Sequence, residues 1–112
     1  MARSLAARSI LGRPVKFIVS IRAAGEADIS KARNWYEKQR PGLGDEFLLS
    51  VTSAIVHLEH FGNLYPPYYR DIHRVLLTRF PYKVFFRING ENVVIFRVLH
   101  TARDHGSELS NL

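Results

Sequence analysis

Residues 70–103 carry Arg70, Arg74, Arg79, Lys83, Arg87, Arg97 and Arg103 against only Asp71 and Glu91. A guanidinium stays charged at any physiological pH, and its planar fork of donors matches two oxygens of a carboxylate or phosphate. Cations of this kind suit an anionic partner, or the stabilisation of negative charge that develops on a reacting group. His100 falls at the end of the last apolar run. An imidazole titrating at about 6.5 could pass a proton there, and Tyr82 is the second proton-transfer candidate. His57, His60 and His73 have no partner at metal-ligand spacing beyond Glu59, so neither a metal nor a cofactor is expected. With no cysteine, disulfides and thiolate zinc sites are excluded.

A chain of 112 residues with 46% hydrophobic content is long and apolar enough for one domain with one core. The net charge of +6 favours nucleic acid, ribosome or an acidic protein as partner. That charge is uneven. Met1–Gly25 carries Arg3, Arg8, Arg13, Lys16 and Arg22 with no acid, whereas Glu26–His60 holds Glu26, Asp28, Glu37, Asp45, Glu46 and Glu59. No apolar run reaches the roughly 20 residues of a membrane helix, so a soluble, cytoplasmic protein is expected. Residues 1–14, MARSLAARSILGRP, form an acid-free extension that reads as a surface helix, a tail or a transit peptide; Arg3, Arg8 and Arg13 interrupt it too often for a secretory signal.

These groups must be positioned by a small set of elements. Val15, Phe17, Val19 and Ile21 alternate with Lys16, Ser20 and Arg22, which predicts a strand over 15–22. Ala24 to Gln39 places Ile29, Ala32, Trp35 and Tyr36 at helical spacing, with Trp35 and Tyr36 expected to pack, and Arg40-Pro41-Gly42-Leu43-Gly44 ends that helix. A second helix is predicted from Asp45 to Phe61, with Phe47, Leu48, Val51, Ala54, Ile55 and Leu58 on one stripe. Gly62 to Pro67 reads as a stiff loop. Strands are predicted at 72–79, 82–89 and 93–100, the last two joined by an Asn89-Gly90-Glu91-Asn92 hairpin turn. The order β-α-α-β-β-β gives a two-layer α+β domain over 15–104, a helical hairpin packed on a small, mainly antiparallel sheet, with a tail at 105–112.

The last strand alternates Val94, Phe96, Val98 and His100 with Val93, Ile95, Arg97 and Leu99, so both of its faces are apolar. One helical hairpin covers one face. The other, set with arginines, is expected to meet a partner, the N-terminal segment or a second copy. Arg74, Lys83, Phe85, Ile95 and Arg97 are the residues expected to make partner contacts.

Trp35-Tyr36-Glu37, Arg40 to Phe47 (RPGLGDEF), Arg79 to Phe86 (RFPYKVFF) and Val98 to Asp104 (VLHTARD) together resemble the RelE/ParE superfamily of bacterial toxins, over roughly Val15 to Asp104. The resemblance implies the toxin of a type II toxin–antitoxin module, neutralised by a small cognate antitoxin. Operator DNA would be reached only through that antitoxin. RelE-like members cleave mRNA on the ribosome, whereas ParE-like members inhibit DNA gyrase.

Metal-independent RNA cleavage needs a base, an acid and cations around the phosphorane. His100, Arg103, Arg87 and Arg79 are the candidates for those roles. Two features of RelE-like enzymes are missing: Asn63–Tyr69 has no lysine and His105–Leu112 has no tyrosine. The Pro-Gly-Leu-Gly link and the Leu-His-x-x-Arg-Asp ending look ParE-like. The sequence therefore favours a gyrase-directed toxin over a ribosome-dependent endoribonuclease, with a degenerate toxin that only binds antitoxin as a further alternative.

Overall fold

A computed structural model describes residues 15–102 and residue 109. The described chain runs β1 (Ile18–Ile21), α1 (Ala23–Gln39), α2 (Leu43–Phe61), a short 3-10 turn (Gly62–Leu64), β2 (Pro67–Tyr69), β3 (Ile72–Leu76), β4 (Tyr82–Asn89) and β5 (Asn92–His100). The strands form one sheet in the order β1-β5-β4-β3-β2. Only β1 and β5 run parallel, and they are separated by the two helices and the other three strands, where a tight hairpin could not join them. The architecture is the expected two-layer α+β arrangement with one strand more than the sequence suggested. Pro67–Tyr69, where no strand was expected, pairs with β3 through an irregular register at the sheet edge, where a proline costs no ladder hydrogen bond. No helix among the described residues is long and apolar enough to cross a membrane.

The α1–α2 link fixes the hairpin. Gly42 takes a left-handed conformation, φ 90, which favours glycine. The Glu37 carboxylate accepts from the Gly42 N–H at 3.1 Å and from the Gly44 N–H at 3.0 Å. An acid on α1 thus satisfies donors at the start of α2, where the helix dipole also favours negative charge. Helix α2 consequently begins at Leu43, two residues ahead of the predicted Asp45. At Gly44 a Cβ would stand 2.8 Å from the Arg33 carbonyl oxygen, so the two helices touch there backbone to backbone.

The main core lies between the helices and the sheet. Phe47 and Leu58 from α2, Ile29 and Ala32 from α1, and Val84, Phe86, Val93, Ile95 and Val98 from the sheet are buried in it. Tyr36, Phe47, Phe80 and Tyr82 form an aromatic cluster with centroids 4.9–6.2 Å apart.

A second, smaller core occupies the opposite face, built from Ile72, Phe85, Phe96 and Leu99 and closed by Leu109. The two cores share β5 because that strand carries a bulge. Phe86 pairs with Ile95 and Phe85 with Arg97, which leaves Phe96 as the extra residue. The strict alternation expected along β5 therefore changes phase: Val93, Ile95 and Val98 belong to the helix-side core, and Phe96 and Leu99 to the opposite one. The second apolar face is in part covered by the chain itself, through Leu109. The predicted extension at 1–14 and most of the tail lie outside the described residues.

Candidate functional site

The cations of the sheet divide into those held by carboxylates and those held only by rings. Arg79 sits at the corner between β3 and β4 with φ 76, and its Nη2 donates to Glu46 Oε1 on α2 at 2.8 Å. Arg40 lies 3.6 Å from the other Glu46 oxygen. The Arg79 hydrogen bond, helped by the charges of Arg40 and Arg79 against a smaller desolvation cost, lowers the Glu46 pKa from its ordinary value. Arg87 donates its Nε to both oxygens of Asp71 at 3.2 Å and lies over the Phe96 ring. Arg97 is held most closely. Its Nε and Nη2 donate to the two oxygens of Asp28 on α1 at 2.7 and 3.0 Å, and the Val98 N–H donates to the same carboxylate at 2.9 Å.

Of the four residues proposed for catalysis, Arg79 and Arg87 are thus held on different carboxylates. Arg79, Arg87 and Arg97 lean on carboxylates from three different elements, and Arg103 lies outside the described residues. His100 stands edge-on to Tyr82 at 5.2 Å. Its Nδ1 accepts from the Ala102 N–H at 3.0 Å, which leaves the proton of the neutral ring on Nε2.

Of the residues expected to contact a partner, two are buried. Ile95 is 1% exposed inside the helix-side core, and Phe85 is fully buried under Leu109 and the neighbouring side chains. The bulge sends the Arg97 side chain to α1, away from the face where Lys83 stands. Arg74 and Lys83 remain together. The Arg74 guanidinium lies 3.8 Å from the centre of the Tyr68 ring, and the Lys83 ammonium 6.0 Å from it. Tyr68 and Leu76 are exposed beside them, and Arg70 covers Tyr69. None of Arg70, Arg74 and Lys83 has a carboxylate partner among the described residues. This strip of cations and aromatic rings can grip carboxylates or phosphates while offering apolar contact.

A separate cavity of about 540 Å³ opens on the helix side between α1 and β5, with Lys31, Trp35, Tyr36, Tyr82 and His100 among its lining. Burial, and after it the charge of Tyr82, raises the Tyr36 pKa above its ordinary value. Trp35, expected to pack, is 56% exposed. Sequence reasoning missed Asp28, Lys31 and Tyr68 as site residues. The first two had a readable signal, since Asp28, Lys31 and Trp35 follow one another at intervals of three and four along one helix face. Tyr68 had none, because it fell between the loop that ends at Pro67 and the strand predicted from 72.

This fold, a helical hairpin on a five-stranded sheet, is shared with a solved structure described as a chromosomal ParDE TA system from P. aeruginosa. The TM-score is 0.68 at 17% identity, over 76% of this chain and 96% of that one. The RelBE2 toxin–antitoxin complex from Mycobacterium tuberculosis matches at 22% identity over 77% of this chain and 99% of that one, with a TM-score of 0.44. No curated protein sequence matches. The family described as the ParE toxin of type II toxin–antitoxin systems, parDE, matches residues 19–105. The chain therefore belongs to the ParE toxin family, within the RelE/ParE superfamily of toxins.

Proposed function

We propose that this chain arrests bacterial growth by direct contact with DNA gyrase in the cytoplasm, and that a cognate antitoxin protein neutralises it. The observation that carries this reading is the dispersal of the paired cations of the sheet. A nuclease must aim several positive groups at one phosphate, whereas here Arg79, Arg87 and Arg97 are each committed to a carboxylate on a separate element. The uncommitted Arg74 and Lys83 instead bracket Tyr68 on an exposed sheet face. Arginine and tyrosine side by side, with an exposed Leu76 nearby, are typical of surfaces that bind protein. Gyrase as the target follows from the ParE-like ending and link of the sequence, and the antitoxin from membership of a toxin–antitoxin family.

The reading is tested by inducing the full chain in bacterial cells with and without the product of its neighbouring reading frame. Growth arrest relieved by that product, with transcripts left intact on translating ribosomes, is the expected outcome. Cleavage of mRNA at ribosome-bound codons would overturn it in favour of an endoribonuclease. Growth unaffected by the chain alone would leave it as a binding remnant.

A further inference from the structure

Arg70 opens the two-residue turn Arg70-Asp71 that joins β2 to β3, between the paired Tyr69 and Ile72. Its φ is 55, and Asp71 has no positive φ. Positive φ at the first central position alone is the pattern of a type II′ hairpin turn, whose first place is dominated by glycine. A second two-residue hairpin, Gly90-Glu91 between β4 and β5, follows that rule, with Gly90 in the same place at φ 63. Arg70 therefore carries a backbone cost that a glycine would remove.

Among the described residues Arg79 is the one other non-glycine residue with positive φ, at 76. There the side chain offsets the cost inside the molecule, through its hydrogen bond to Glu46 at 2.8 Å. No such partner holds Arg70. It is exposed, and no carboxylate of the described residues pairs with it. Its guanidinium lies 5.0 Å from the centre of the Tyr69 ring, a stack that leaves the donors on the edge of the fork in water. Tyr69 packs against the smaller core, so Arg70 stands at the margin of the sheet face that carries Arg74 and Lys83. The Asp71 carboxylate accepts from Arg87 on β4, which braces the turn against that face.

We infer that Arg70 is an anchor of the target contact, its fork closing on a carboxylate of the protein surface that meets the Arg74–Tyr68–Lys83 strip. This rests on the growth-arrest reading above and adds to it a residue and a ligand chemistry. A carboxylate meets a guanidinium through two parallel hydrogen bonds, stronger than neutral ones. A phosphate of DNA held by the target fits less well. Backbone binding spreads many cations along a duplex, whereas here three cations alternate with Tyr68, Tyr69 and the exposed Leu76. Arginine, tyrosine and an apolar side chain together are the mixture of a protein interface.

Supercoiling of relaxed plasmid by purified DNA gyrase, titrated with the full chain, reads the contact. Arg70→Ala keeps the backbone cost and removes the fork, whereas Arg70→Gly removes both. Each should raise the half-inhibitory concentration about tenfold or more. Arg70→Gly should melt about 2–5 °C above the parent, and Arg70→Ala within about 2 °C of it. A weaker inhibitor that is also a more stable protein is what a merely structural arginine would not give. Inhibition within about twofold of the parent in either variant, or a Tm for Arg70→Gly at or below the parent's, would overturn the inference. So would saturable binding of the parent to a fluorescein-labelled duplex of about 20 base pairs that Arg70→Ala abolishes, which would assign the fork to a DNA phosphate. A parent chain that leaves supercoiling intact sinks the growth-arrest reading and this inference together, whereas an active parent with equally active variants sinks this inference alone.

Discussion

Removing the Asp28 carboxylate should be the most damaging single polar change in the described chain. Asp28 and Arg97 side chains are 14% and 23% exposed, and the pair is bidentate at 2.7 and 3.0 Å. Asp28→Ala takes a bidentate carboxylate from a guanidinium that is mostly out of water and removes the acceptor of the Val98 N–H. Breaking a buried pair costs about 3–5 kcal/mol, and the partial exposure of Arg97 places this case at about 2–3 kcal/mol. The unpaired amide adds about 1 kcal/mol, while the better helix propensity of alanine returns about half of that. A net loss of about 3 kcal/mol follows, which corresponds to a fall in Tm of about 10–15 °C for a domain of this size. Urea unfolding followed by circular dichroism measures it. The double variant Asp28→Ala/Arg97→Met should recover at least about 1 kcal/mol, because no charge is left unpaired. A single-variant loss below about 1 kcal/mol, or strict additivity in the double variant, would refute the claim that this pair braces β5 against α1.

Gly44→Ala should cost about 2 kcal/mol, because the new methyl would meet the Arg33 carbonyl oxygen at 2.8 Å. Gly42→Ala, in open space at φ 90, should cost about 1–2 kcal/mol through backbone strain alone; urea melts of both check the ranking. The Glu46 pKa is lowered in the folded chain by Arg79, so its contribution to stability is present above the ordinary glutamate range. That contribution is lost as pH falls through the lower folded value, and Glu46→Gln should flatten the acid limb of stability against pH below about 4.5. Phe85→Ala should destabilise by about 3–5 kcal/mol, since the ring is fully buried in the smaller core. Leu76→Ser on the same face, at 57% exposure, should stay within about 0.5 kcal/mol, and thermal melts of the two separate core from surface.

The elements were legible where local chemistry dictates them. The Phe17, Val19, Ile21 alternation, the Pro41-Gly42 break and the Asn89-Gly90 turn each announce their structure, and β4 runs over Tyr82–Asn89 as predicted. What escaped depends on distance along the chain. Ile95-Phe96-Arg97-Val98-Leu99 reads as alternation in either phase, so nothing local marks the bulge that sorts these residues between two cores. The partner of Arg97 lies 69 residues away, and Leu109 closes a face that looked open. A row of unpaired arginines in the sequence thus becomes, in three dimensions, three ion pairs on separate elements and a short strip of uncommitted charge around Tyr68.

The central claim is a toxin that acts by protein contact through that strip and not by cleaving RNA. Supercoiling of relaxed plasmid by purified DNA gyrase, titrated with the purified full chain, tests it most directly. Saturable inhibition is predicted, weakened about tenfold or more by Arg74→Glu/Lys83→Glu and unchanged by His100→Ala. Full supercoiling activity at chain concentrations that arrest cells would contradict the account.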